Sequence, residues 1–217
     1  LSKGLSILAF RENNSEFTHS SQLTVFMDEV IREAGITANK LDAVSVSIGP
    51  GSYTGLRIGL SAAKGLCYAI DKPLIAVNTL LSMTAGMVNN KKYYNQNALY
   101  CPMLDARRME VYCALYDSTL NEIRETKAEV VDEIFFSKTL KKSKLLFFGD
   151  GADKCKHLLN KYTNALFVDE FFPSSKHMVE LSLEKYKQGL FENIAYVEPF
   201  YLKEFIAGKP NVKGLRT

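Results

Sequence analysis

The 217-residue chain sets 27 Lys+Arg against 24 Asp+Glu, a net charge of +3, with 47% hydrophobic and 24% charged residues. That balance excludes a disordered or fibrous chain and leaves enough apolar material for one large domain or two small ones. It also excludes a general nucleic-acid footprint unless basic residues gather on one face, and apolar runs such as Leu145 to Phe148 fall far short of the roughly 20 residues a membrane helix needs.

The first residue is Leu rather than Met, so the native start is expected upstream. A strand-like stretch, Leu5 to Phe10, is followed by a turn at Asn13-Asn14. Ser20 or Ser21 is expected to cap a helix that runs to about Ala34 and stops at Gly35. Leu23, Phe26, Met27, Val30, Ile31 and Ala34 recur at helical spacing and form one apolar stripe. Val44, Val46 and Ile48 then alternate with Ser45 and Ser47 as a strand, leading into the loop Gly49-Pro50-Gly51-Ser52-Tyr53-Thr54-Gly55.

The next helix, to about Ile70, is apolar almost all round. Only Arg57, Ser61 and Lys64 make a polar stripe, and Gly59, Ala62, Ala63 and Gly65 permit close approach, so burial on most sides is expected. A strand at Leu74 to Val77 and a helix from Thr79 to Val88 complete a first block. The polar, asparagine-rich stretch 89–97 reads as a linker, dividing the chain into blocks 1–97 and 98–217.

The second block opens with strands Leu99 to Leu104 and Glu110 to Tyr116 joined through Asp105-Ala106-Arg107-Arg108, with a third between Asn121 and Val131, a meander. A helix (Asp132 to Thr139), strand (Lys144 to Phe148), turn (Gly149-Asp150-Gly151), helix (Ala152 to Tyr162), strand (Leu166 to Val168) and helix (Ser174 to Gln188) follow. The order βββαβα argues for an α/β fold, and two similar halves are the natural architecture, although no residue-level repeat is visible.

Four cysteines without a CxxC pair (Cys67, Cys101, Cys113, Cys155) and three histidines (His19, His157, His177) show no metal-ligand spacing. Small buried apolar roles for the thiols, no structural zinc and a reducing, cytoplasmic setting are expected.

A strand ending at Gly49 and a helix starting near Thr54 place loop N–H groups at a helix N-terminus, making Gly49, Gly51, Ser52, Thr54 and Gly55 a candidate anion loop. No Gly-Lys-Ser/Thr follows, so this is not a P-loop. Gly49, Gly51 and Gly55 give G-x-G-x-x-x-G, but no ribose-binding acid ends the next strand, where Val77 is followed by Asn78-Thr79. The alternative is a corner in which the glycines allow a sharp turn and Pro50 stiffens it. No cofactor is expected.

The run from Ser45 through Gly59, continuing in Ala63-Lys64-Gly65-Leu66, closely resembles the signature of the TsaB (YeaZ) family. Supporting matches, His19-Ser20 ahead of that run and Asp105-Ala106-Arg107-Arg108-Met109-Glu110-Val111-Tyr112, Gly149-Asp150-Gly151 and Pro199-Phe200-Tyr201-Leu202 after it, stand in the family's order. The resemblance implies an actin/Hsp70/sugar-kinase-like (ASKHA) fold of two related βββαβα subdomains. It implies a part in placing threonylcarbamoyl on the adenosine next to the tRNA anticodon, with TsaD supplying metal and catalysis, TsaE acting as an ATPase, and TsaB as a non-catalytic, dimerising scaffold. Family members begin with an apolar strand and a short turn that this sequence lacks, so about 15 further residues are expected ahead of it.

The resemblance further implies pairing through the first subdomain's helices, in homodimers and with TsaD. Leu23, Phe26, Met27, Val30 and Ile31 would form the partner-binding stripe, bordered by Tyr53, Leu56, Arg57 and Leu60; spacing alone favours packing against the chain's own sheet. Arg107 and Arg108 could grip a phosphate, or form a self-paired hairpin end with Asp105 and Glu110. The basic tail Lys203, Lys209, Lys213 and Arg216 could brush tRNA. Two enzyme readings stand as alternatives, a phosphotransferase of the same superfamily and a glycoprotease-like peptidase, although no HExxH or locatable catalytic triad supports the second.

Overall fold

The computed structural model describes residues 1–13 and 19–202. The basic tail singled out above, and Asn14 of the expected turn, lie outside the described residues.

The chain opens with a two-residue hairpin, β1 (Ser2–Lys3) against β2 (Ser6–Ile7), turning at Gly4. The expected strand from Leu5 to Phe10 is therefore not formed beyond Ile7. Past Ile7 the backbone is tied to Leu1, whose carbonyl accepts from Leu8 N–H at 3.0 Å and whose amine donates to the Ala9 carbonyl at 3.0 Å, and Leu5, Ile7 and Leu8 stay exposed. Helix α1 (His19–Glu33) already contains Ser20 and Ser21, so neither serine is its cap; the position that would cap it lies outside the described residues.

β3 (Val44–Gly49) and β4 (Leu74–Asn78) pair in parallel as a two-stranded sheet connected through α2 (Tyr53–Ile70). Helix α2 buries only one face, through Leu60, Ala63 and Cys67 packed on Val46 and Leu74. The expectation of burial on most sides fails because a two-stranded sheet cannot cover the whole circumference. Ser61, Gly65 and Ala69 are exposed, and Tyr68 is 84% exposed.

The helix buried on several sides is instead α3 (Thr79–Val88), capped by Asn78, whose side-chain oxygen accepts from Leu81 N–H at 3.0 Å. Leu80, Met83 and Met87 pack on Tyr100, Tyr116 and Phe148 of the second sheet, while Ala85 joins Ile75 and Val77 of the first. α3 thus fills the layer between the sheets.

The second sheet has the order β7-β6-β5-β8-β9, comprising β5 (Ala98–Asp105), β6 (Glu110–Tyr116), β7 (Glu122–Val130), β8 (Lys144–Phe148) and β9 (Ala165–Val168). The first three form the expected antiparallel meander, and β5, β8 and β9 run parallel, so the sheet is mixed. Period-two alternation sends Tyr100 and Leu104 to the α3 side and Cys101 and Met103 to the other, under α5 (Asp150–Leu159). Phe136 and Phe147 are fully buried there; each such side chain contributes about 1.5–3 kcal/mol of burial free energy.

The helix expected from Asp132 to Thr139 shrinks to α4 (Ser137–Leu140). The Asp132 carboxylate accepts from the N–H groups of Ile134 and Phe135, holding a turn that delivers Phe136 to the core. After β9 the chain returns to the first sheet. A 3₁₀ turn (Ser175–Met178) leads into α6 (Val179–Lys187), where one continuous helix was expected. Met178 and Leu181 pack on Ile75 and Val77. Lys185 Nζ donates to the Ala76 carbonyl at 2.8 Å and Glu192 N–H to that of Leu74 at 2.9 Å, covering the outer edge of β4.

Candidate functional site

The glycine signature forms the corner between β3 and α2, and the stretch Pro199 to Leu202 lies across it. Gly49 takes φ +118°, a conformation costly for any side chain, and an added Cβ would stand 2.9 Å from the Phe200 carbonyl oxygen. Phe200 N–H in turn donates to the Ile48 carbonyl at 2.7 Å, so Pro199 to Leu202 acts as a strap over the corner. The Gly49–Pro50 peptide is cis. Ser52 caps α2: its hydroxyl accepts from Gly55 N–H at 3.3 Å and its carbonyl from Leu56 N–H at 2.9 Å. Within the candidate anion loop, then, Gly49 lies under the strap and Gly55 serves the cap. Ser52 and Thr54 are exposed and Gly51 is partly so.

Tyr53 and Arg57, one helical turn apart on α2, meet Tyr201 of the strap. The Arg57 guanidinium lies 4.4 Å from the Tyr53 ring centre, and its Nε donates to the Tyr201 hydroxyl at 2.9 Å. The two tyrosine rings are 5.0 Å apart. The hydrogen bond to Tyr201 is the main cause raising the Arg57 pKa. Nothing in the sequence links positions 57 and 201, so this clasp was not foreseen.

On α1, the stripe residues Leu23, Phe26, Met27, Val30 and Ile31 are all half-buried. Among the described residues α1 packs chiefly on α2. Its polar side is organised by Arg11, which bridges Glu29 at 2.7 Å and Glu33 at 2.6 Å, anchoring α1 to the segment after the hairpin. Leu56 is likewise half-buried, whereas Leu60, expected at the border of this face, is only 4% exposed and belongs to the core. Its side chain meets Val46 and Leu74 because the α2 face that carries it is the one turned to the sheet. Tyr68, which sequence reasoning passed over, is the most exposed large apolar side chain of α2. Its place one turn beyond Lys64 on the outward arc was the available signal.

A second cluster sits where β5 turns into β6. Lys154 Nζ donates to the Asp105 carboxylate at 2.5 Å and to the carbonyls of Arg108 and Glu110 at 2.9 and 2.6 Å. Asp105 thus pairs with Lys154 rather than with the neighbouring arginines. Burial opposes its ionisation, but the Lys154 bond and Arg107 N–H together hold its carboxyl below the usual range. Burial pushes Asp150 up, helped by the charge of Asp105. Gly149, at φ +97°, lets the head of α5 close on β5, since a Cβ there would stand 2.2 Å from the Met103 carbonyl oxygen.

All four cysteines are buried and free. Among the described residues, no group of three His, Cys, Asp or Glu is placed to hold a metal ion, and no helix is long and apolar enough to cross a membrane.

These features define a mixed α/β protein with a glycine corner, a half-covered helical face and a mixed five-stranded sheet. The family model described as "TsaD: tRNA N6-adenosine threonylcarbamoyltransferase" matches residues 13–208. The chain belongs to this family, in its TsaB (YeaZ) branch. The tRNA threonylcarbamoyladenosine biosynthesis protein TsaB of Escherichia coli K12 is 27% identical over 196 residues, spanning 88% of this chain and 83% of that protein. The TsaB of Haemophilus influenzae is 27% identical over 202 residues, with the same two shares. A solved Pseudomonas aeruginosa structure, described as an uncharacterized protein with similarity to peptidase YEAZ, superposes with a TM-score of 0.73 at 19% identity, covering 86% of this chain and 85% of its own.

Proposed function

We propose that this chain is the non-catalytic, dimerising scaffold subunit of the assembly that adds threonylcarbamoyl to the adenosine next to the tRNA anticodon. It docks on TsaD through α1 and the outward arc of α2, works alongside TsaE, reaches tRNA within that complex, and pairs with a second copy when alone. In this reading residues 1–97 and 98–217 are two ASKHA-like subdomains. The family and the TsaB relatives support the pathway. The single observation that carries the docking face is the α1 stripe, whose Leu23, Phe26, Met27, Val30 and Ile31 are only half-buried within the chain. Such a stripe of Leu, Phe, Met, Val and Ile has the composition of an interface centre.

Phe26→Asp combined with Val30→Asp places two charges on that stripe while leaving Leu60 and the sheet intact. Loss of TsaD on co-purification, with an unchanged far-UV melting profile, is the expected result; retained complex on gel filtration would overturn the assignment. Leu60→Ala serves as the contrast. It opens a core cavity and costs about 2–5 kcal/mol, so any complex it loses is lost with the fold.

A further inference from the structure

We propose that Arg107 and Arg108, at the tip of the β5–β6 hairpin, form a contact for the phosphodiester backbone of RNA, a reading that rests on the tRNA-linked function above and names a residue pair for it. Both residues take left-handed backbone conformations, φ +70° and +52°. Two consecutive left-handed positions in a hairpin turn favour Asn and Gly, which adopt them at least cost. This turn instead carries two long, charged side chains.

The backbone beneath them is held from several directions. Arg107 N–H donates to Asp105 at 2.7 Å, Ala106 N–H to the Glu110 carbonyl at 3.1 Å, and Lys154 ties the Arg108 and Glu110 carbonyls to α5. Two acids of the cluster are engaged inside it: Asp105 by Lys154, and Asp150 by the N–H of Asp105 at 3.0 Å. Both arginines are exposed, and the ion pair at this turn joins Asp105 to Lys154. A rigid turn thus presents two adjacent exposed planar cations, the charge of Arg107 also helping to keep Asp105 ionised, and a phosphodiester oxygen pair matches the donor fork of a guanidinium. A chain of net charge +3 has little general attraction for nucleic acid, so a local contact of this kind is what it can offer.

The test is fluorescence anisotropy of a labelled tRNA transcript with the full chain in complex with TsaD, titrated over a range of salt. Arg107→Gln with Arg108→Gln is expected to weaken binding several-fold and to flatten the slope of log K against log salt by about 1 to 2. Arg107→Lys with Arg108→Lys should keep most of that slope. An unchanged slope in the glutamine variant, or no tRNA binding by the unaltered complex, would overturn the contact. Displacement of the transcript by ATP or tripolyphosphate at equal concentration would assign the pair to free polyphosphate and overturn it equally. Loss of modification in the Phe26→Asp, Val30→Asp variant reports on the scaffold reading separately, because that variant leaves the hairpin untouched.

Discussion

Arg57 and Tyr201 are 144 positions apart in sequence, yet Arg57 Nε donates to the Tyr201 hydroxyl at 2.9 Å. With Tyr53 stacked beneath the guanidinium, this bond fixes the last described stretch of the chain onto the head of α2.

Releasing that bond should loosen the strap without unfolding the protein. Tyr201→Phe removes the hydroxyl and keeps the ring on Tyr53; Arg57→Ala removes both the donor and the cation. Limited proteolysis is expected to cut within the strap faster in both variants, and more so in Arg57→Ala, while the melting temperature moves by about 2 °C or less, as befits local opening. Equal cleavage rates in the parent and both variants would show that Phe200 N–H on Ile48 holds the strap alone.

Within the glycine signature the structure separates two neighbours. Gly49→Ala must accept φ +118° and a Cβ 2.9 Å from the Phe200 carbonyl and 3.1 Å from Leu56 Cδ1, so a loss of about 2–3 kcal/mol is expected in urea unfolding. Gly51→Ala meets nothing nearer than 3.9 Å and should stay within about 0.5 kcal/mol. Similar losses at both positions would mean that the corner is more tightly packed than its geometry indicates.

The contrast between these glycines shows what the sequence could and could not disclose. The serine alternation of β3, the stripe of α1 and the meander of the second sheet are local periodicities, and each formed where its spacing placed it. Leu60 was misplaced because helical spacing groups Tyr53, Leu56, Arg57 and Leu60 on one arc but does not say which edge of that arc meets the sheet. α2 and α3 were harder still: both are apolar, and only the arrival of a second sheet determines that α3 is the enclosed one. The Lys154 clasp and the Tyr201 clasp join residues remote in sequence, which no periodicity encodes.

His177 predicts a pH dependence. Its ring lies parallel to Phe171 at 4.9 Å, and its Nδ1 is buried without a hydrogen-bond partner among the described residues. Burial lowers its pKa below the ordinary 6.5, with Lys176 adding to the effect and Glu12 opposing it. A base whose folded pKa is depressed is neutral in both states above 6.5, so its full contribution is present there. As pH falls from about 6.5 through the lowered folded value, the unfolded chain binds the extra proton and stability is lost. His177→Phe keeps an aromatic ring against Phe171 and cannot titrate. Between pH 7.5 and 5.5 its urea midpoint should therefore fall less than that of the parent, and equal falls would exclude His177 as the source.

The four thiols offer a measure of how firmly the two layers are closed. Burial pushes the Cys155 thiol up to about 11, and the Cys67 and Cys101 thiols also lie above their usual range, chiefly through burial. At pH 8 a thiol of pKa 11 is ionised in only about one molecule in a thousand, and the thiolate is the reactive form. Labelling by a disulfide reagent at pH 8 should therefore be negligible over the minutes in which an unfolded sample reacts at all four cysteines. Slow native labelling should begin at Cys67, which lies under the single covered face of α2, before Cys101 and Cys155, which are enclosed between the five-stranded sheet and α5. Prompt labelling of Cys101 in the native protein would contradict the sealed core on that side of the sheet. Labelling that starts at Cys67 and accelerates in Gly49→Ala would tie the opening of α2 to the corner that anchors it.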